Sequence, residues 1–204
     1  RLSALIYQNA VRQNHLQLFS QTSQNLLKRN TFSIIADVGA KVCEIRKLAK
    51  ILNEMNIDIL LLKGMAFNQT IYDTNFPRGV SDIDILVSSI DKSQFSEYFK
   101  NMASLVELKT QHVFDGLFEE TWKANSSSAI YFDLHWYLSH PSLFDFNQQE
   151  IMQRSIQHPS YKQTNIRLLA DEEHVVFLAT HMLKDCDFYH YGLIDCHQLI
   201  CQKS

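Results

Sequence analysis

Apolar residues recur at helical intervals through residues 2–28, at Leu2, Leu5 and Ile6 and again at Leu16, Phe19, Leu26 and Leu27. Asn30-Thr31 then offers a break and a fresh N-cap. Beyond it Ile35, Val38, Val42, Ile45, Ala49 and Leu52 alternate three and four apart. That is the stripe of a helix with one buried face, so two helices are expected to pack together and against a core. Residues 57–62 form a short, nearly continuous apolar run, the signature of a strand covered on both faces. Gly64 ends it, residues 65–72 read as a short helix, and residues 73–81 as a loop punctuated by Pro77-Arg78-Gly79. A second strand follows at 82–88.

Downstream, Asp91 or Ser93 opens a helix whose apolar face includes Phe95, Phe99 and Met102, and 105–108 reads as a further strand. Residues 114–123 and 129–138 flank the polar cluster Asn125-Ser126-Ser127-Ser128, the pattern of a hairpin. After a loop at 141–147 the pattern is helical: a short helix near 148–154, then one opened by Asp171-Glu172-Glu173, whose acids suit the positive end of a helix. Val175, Leu178 and Met182 supply its buried side, and a last helix spans about 192–201. No repeat, low-complexity tract or linker separates independent domains. The division expected is a helical segment at 1–56, a core carrying the strands at 57–140 and a helical region at 141–204.

Composition narrows the classes. With 204 residues the chain is long enough for one generous core, and 46% hydrophobic with 20% charged residues is ordinary for a globular protein. Five glycines and three prolines are too few for a turn-rich all-β sandwich. A formal net charge of −3 argues against a broad nucleic-acid surface but leaves room for a small nucleotide. Cys43, Cys186, Cys196 and Cys201 form no C-x-x-C pair, so reduced thiols and a cytoplasmic setting are expected. Their interleaving with His181, His190 and His197 is too irregular for a zinc site, and helix packing is the better reading. No apolar run has the length to span a bilayer, so no membrane partner is expected. A chain opening on Arg1 reads as a piece of a longer one, which takes most of the weight from the lack of a signal peptide.

The candidate chemistry lies between the two strands. In a strand alternate side chains share a face, so Asp82 and Asp84 point one way while Ile83 and Ile85 point the other. Two neighbouring carboxylates repel unless a cation sits between them, and a divalent metal carrying phosphates answers that need. Lys63-Gly64 just upstream would offer backbone N–H groups at a helix start to those phosphates. Asp133 and His135 share a face of the later strand, and Asp133 supplies a third carboxylate. Either the Asp-x-Asp pair or the glycine alone is a commonplace of solvated strand ends; the ordered combination is the informative feature.

Leu62-Lys63-Gly64-Met65-Ala66, Tyr72, Arg78, Asp82-Ile83-Asp84-Ile85-Leu86-Val87 and Asp133-Leu134-His135-Trp136 together resemble the bacterial "uncharacterised nucleotidyltransferase" family of the polymerase-β-like superfamily. The likeness runs from about residue 57 to the end, more loosely at His181 and Asp195. It implies an α+β fold with a small mixed sheet of the nucleotidyltransferase type, flanked by N-terminal and C-terminal helices, with the catalytic core at 57–140. It further implies metal ligation and catalysis by Asp82, Asp84 and Asp133, with two Mg²⁺ ions (Mn²⁺ as a substitute) and an NTP as donor. Nucleotide binding falls to Lys63, Gly64, Met65, Arg78 and Ser81, with His135 and His181 as accessory positions. The acceptor would be a hydroxyl on a small molecule or a protein. One departure stands out: the superfamily turn carries Gly-Ser or Gly-Gly, whereas here Gly64 lies between Lys63 and Met65, and the Lys63 charge would replace the missing hydroxyl. The alternatives are a non-catalytic nucleotide-binding or partner-binding module on the same fold, and a metal-dependent phosphohydrolase.

Overall fold

The computed structural model describes residues 2–101, 105–108, 118–124, 130–139, 142–184 and 190–203. Helix α1 (Ser3–Arg12) leads through a 3-10 turn at Leu16–Leu18 into the 35-residue helix α2 (Gln21–Met55). The break therefore comes earlier than the sequence pattern predicts. Asn14 takes a left-handed conformation (φ 52°), and Ser20 caps α2 by accepting a hydrogen bond from Ser23 N at 3.2 Å. Asn30-Thr31 does not interrupt the helix, because Thr31 Oγ1 donates to the carbonyl of Leu27 at 2.8 Å, one turn back. The hydroxyl that would cap a new helix is satisfied inside the existing one. Asn56, left-handed at φ 55°, ends α2.

Next come β1 (Ile59–Leu61), α3 (Lys63–Phe67), β2 (Ile83–Val87), α4 (Lys92–Asn101), β3 (Leu105–Leu108), β4 (Glu119–Ala124) and β5 (Tyr131–His135). They are followed by α5 (Gln148–Arg154), β6 (Ile156–Gln157), β7 (Ile166–Leu168), α6 (Asp171–Lys184) and α7 (His190–Lys203). The strands β6 and β7 fall between the helices predicted at 148–154 and from Asp171, in a region expected to be helical and given no strand; they are two and three residues long, too short for periodicity to register. The predicted turn at 125–128, Met102 and Cys186 lie outside the described residues.

The strands form one mixed sheet in the order β3-β4-β5-β2-β1-β7-β6. Strand β2 runs parallel to β5 and antiparallel to β1, while β1 is parallel to β7. One face is mainly hydrophobic: Ile59, Leu61, Ile83, Ile85, Val87, Trp122, Phe132 and Leu134 meet Ile45, Leu48, Ala49 and Leu52 of α2 and Phe95 and Phe99 of α4. The other face is divided. Leu60, Leu62 and Leu86 pack under Ile151 of α5 and Phe177 of α6. Alongside them the same face turns polar, because the alternate positions of β2, β4 and β5 carry Asp84, Glu119, Thr121, Asp133 and His135. Among the described residues no helix is long and apolar enough to cross a membrane.

Candidate active site

The register of the three central strands assembles the site. Asp84 of β2 lies directly opposite Asp133 of β5, and on the far side of β5 the cross-strand partners are Thr121 for Asp133 and Glu119 for His135. Opposed residues stand about 5 Å apart at Cβ, so four polar side chains from β4 and β5 are delivered to one place by pairing alone. Asp82, just ahead of β2 and two residues from Asp84, joins them. One oxygen from each of Asp82, Asp84 and Asp133 lies within 4.8 Å of the others.

Each carboxylate has a separate support. Ser81 Oγ donates to Asp82 Oδ2 at 2.7 Å, and Thr121 Oγ1 donates to Asp133 Oδ1 at 2.8 Å. Lys63 Nζ donates to Asp84 Oδ1 at 2.7 Å, and His135 Nε2 lies 3.4 Å from that oxygen. One oxygen of each is thus engaged, and among the described residues the second is left for a ligand. The donor set is all-carboxylate, hard and anionic, which fits Mg²⁺ or Mn²⁺ and not a thiophilic metal.

Electrostatics give the same picture. Burial, then the neighbouring Asp84 charge, raises Asp82 to about 6 in spite of the Ser81 hydrogen bond. Asp133 is likewise raised, by burial and by Asp84. Burial also acts upward on Asp84, but the Lys63 ammonium and the His135 contact outweigh it and hold this carboxyl well below the usual range. The trio has one firmly ionised member and two whose charge is opposed, the state a bound dication would relieve.

The turn that brings Lys63 to the sheet is unusual. Leu62 N donates to Asp84 O at 3.0 Å, continuing the β1–β2 ladder, and then Lys63 takes a left-handed conformation at φ 47°. A non-glycine residue there costs about 1–2 kcal/mol, and the turn sets its ammonium against Asp84. Gly64, in contrast, has no positive φ. It is glycine for lack of space: a Cβ would collide with Val80 Cγ1 and come within 2.5 Å of Arg78 Nη1. The glycine read as the turn residue is the close-approach residue, and the turn belongs to its neighbour.

A sequence family described as "Uncharacterised nucleotidyltransferase" matches residues 1–204. The chain belongs to that family. Among solved structures, this family member is similar to ANT(2″)-Ia in complex with adenylyl-2″-tobramycin, at 12% identity and TM-score 0.55, over 81% of this chain and 90% of that one. It is also similar to an antigenic nucleotidyltransferase-like protein from Paracoccidioides brasiliensis, at 15% identity and TM-score 0.52, over 76% of this chain and 72% of that one. Both likenesses are of fold. No curated protein matches the sequence.

Within this nucleotidyltransferase-family chain the structure gathers Asp82, Asp84, Asp133, Lys63, Ser81 and His135 in one cluster. Gly64 and Met65 lie buried in the first turn of α3. Arg78 is turned elsewhere: its Nε meets Asp195 Oδ1 of α7 at 2.8 Å, with both side chains buried, and Tyr72 Oη donates to the same oxygen at 2.6 Å. The backbone of Arg78 is clasped by Asn68, which accepts from its N–H and donates to its carbonyl, each at 2.7 Å. His181 stands on α6 with its ring edge-on to Phe177 at 6.1 Å. Two residues escaped the sequence reading, Glu119 and Thr121. Their i, i+2 spacing on a strand was available, but only the β4–β5 register shows that they oppose His135 and Asp133.

Proposed function

We propose that the protein transfers a nucleoside monophosphate from an NTP to a hydroxyl acceptor in a metal-dependent reaction, with residues 57–140 as the catalytic core and the helices of 1–56 and 141–204 packed around it. The observation that carries this reading is the convergence of Asp82, Asp84 and Asp133 on one locus, each with one oxygen held and one to spare. These three would hold Mg²⁺, or Mn²⁺ in its place, with two ions expected. Bound there, the metal supplies positive charge to the phosphates and lowers the pKa of the acceptor hydroxyl.

The chain's own groups do the rest. The N–H groups of Gly64 and Met65, in a first turn with no helical acceptors for them, receive the β and γ phosphates. Lys63, whose ammonium pairs with Asp84 in the metal-free chain, would turn to the pyrophosphate once that carboxylate held a metal, and Ser81 would add a donor at the loop. The acceptor oxygen attacks the α phosphorus, the bond to the bridging oxygen breaks, and pyrophosphate leaves. Asp133, the carboxylate on the neighbouring strand, accepts the hydroxyl proton. The adenylylated tobramycin in the similar structure supports a small molecule as one acceptor class.

The four NTPs, each with Mg²⁺ or Mn²⁺ and a fractionated cell extract as acceptor source, test the proposal through pyrophosphate release. Release is expected from wild type and lost in Asp84→Asn. Release undiminished by that substitution refutes it. Stabilisation by NTP and Mg²⁺ with no pyrophosphate from any fraction identifies a nucleotide-binding module instead.

A further inference from the structure

His135 stands between two carboxylates. Its Nε2 lies 3.4 Å from Asp84 Oδ1 and its Nδ1 lies 3.3 Å from Glu119 Oε2. The three residues come from three adjacent strands, β2, β5 and β4, and exposure rises along the line, from 3% for the Asp84 side chain to 5% for His135 and 20% for Glu119. An imidazole turns about a broad, two-fold torsion. A single contact at Nε2 would leave the ring free to swing off Asp84. Anchoring Nδ1 as well fixes the ring plane, and with it the oxygen of Asp84 that is engaged and the one that is presented.

We infer that Glu119 is a positioning residue of this site: through His135 it holds the Asp84 carboxylate in the orientation in which its other oxygen serves as a metal ligand. The inference rests on the metal-binding reading above. It differs from that reading in assigning part of the affinity to a residue that touches neither metal nor substrate. Strand pairing makes the arrangement stiff, because Glu119 and His135 are direct cross-strand partners. Outer-shell partners of metal ligands commonly contribute 10–100-fold to affinity.

The test is Mn²⁺ binding to the full, nucleotide-free chain, followed by electron paramagnetic resonance, with thermal melts to show that each variant is folded. Wild type, Glu119→Ala, Glu119→Gln, His135→Ala, the double variant E119A/H135A and Asp84→Asn are compared. Glu119→Ala is expected to weaken Mn²⁺ about 10-fold. Glu119→Gln, which keeps an acceptor oxygen for Nδ1, recovers most of that loss, and the double variant binds no more weakly than His135→Ala alone. Wild-type affinity in Glu119→Ala overturns the inference. So does Glu119→Gln as weak as Glu119→Ala, which would show a bare charge effect, and so does a double variant in which the two losses multiply. Wild type that binds no Mn²⁺ overturns the metal reading itself and this inference with it.

Discussion

Asp82→Asn should make the metal-free protein more stable while disabling it. In the folded chain Asp82 titrates near 6, raised by burial and by the Asp84 charge, against 3.8 for an unperturbed carboxyl. A group whose folded pKa lies above its unfolded one supports the fold at low pH and opposes it once pH rises through the folded value. At pH 7.5 the displacement of about 2 units corresponds to about 3 kcal/mol of opposition. Asparagine is nearly isosteric, keeps an acceptor for Ser81 Oγ and carries no charge. Differential scanning calorimetry in EDTA-treated buffer should therefore place the variant above wild type, by about 5–10 °C for a chain of this length. At pH 4.5 both proteins carry a mostly protonated or neutral group at this position and the gap shrinks to about 1 kcal/mol. Added Mg²⁺ should raise wild type more than the variant and narrow the gap at pH 7.5. A variant less stable than wild type at pH 7.5 without metal would refute the reasoning, since it would mean that the trio is not electrostatically strained.

Gly64→Ala should lower the unfolding free energy measured in urea by about 1–3 kcal/mol, the usual cost of overpacking, because the new methyl meets Val80 and an Arg78 side chain that Asp195 keeps from retreating; an unchanged or higher stability would deny the close approach. The histidines of the core should make the protein sensitive to mild acid. Burial lowers both His158 and His174 from 6.5 to about 4. Between those values the unfolded chain takes up protons that the folded one refuses, so this part of the stability is complete above pH 6.5 and falls as pH drops towards 4. At pH 5 each histidine costs about 2 kcal/mol, and His174→Leu should lose about that much less than wild type between pH 7 and pH 5 in denaturant titrations. An identical loss in both proteins would show that His174 is not held neutral.

The local features of this protein were written in the order of its residues. The stripe from Val38 to Leu52 gave the buried side of α2, the apolar run before Lys63 gave β1, and the alternation of Asp82, Ile83, Asp84 and Ile85 gave a strand with an acidic and an oily face. Periods of two and 3.6 depend only on neighbours along the chain, which is why these could be read directly. The same logic failed where a local signal was cancelled by its context. Thr31 resembled a cap until its hydroxyl proved to be bonded one turn back, and β6 and β7 were too short to show a period at all.

What lay beyond the sequence was everything that depends on register and approach. That Asp133 stands opposite Asp84, and Glu119 opposite His135, follows from the offset at which β5 docks between β2 and β4, and a slip of one residue would have turned each of those side chains to the oily face. Arg78 looked like a loop cation free to meet phosphate, yet α7 brings Asp195 to it from more than a hundred residues away. Gly64 looked like a turn and is a point of contact. Chemistry of this kind needs groups a few ångströms apart, and a sequence records which groups exist but not the packing of helices and the pairing of strands that set the distances between them.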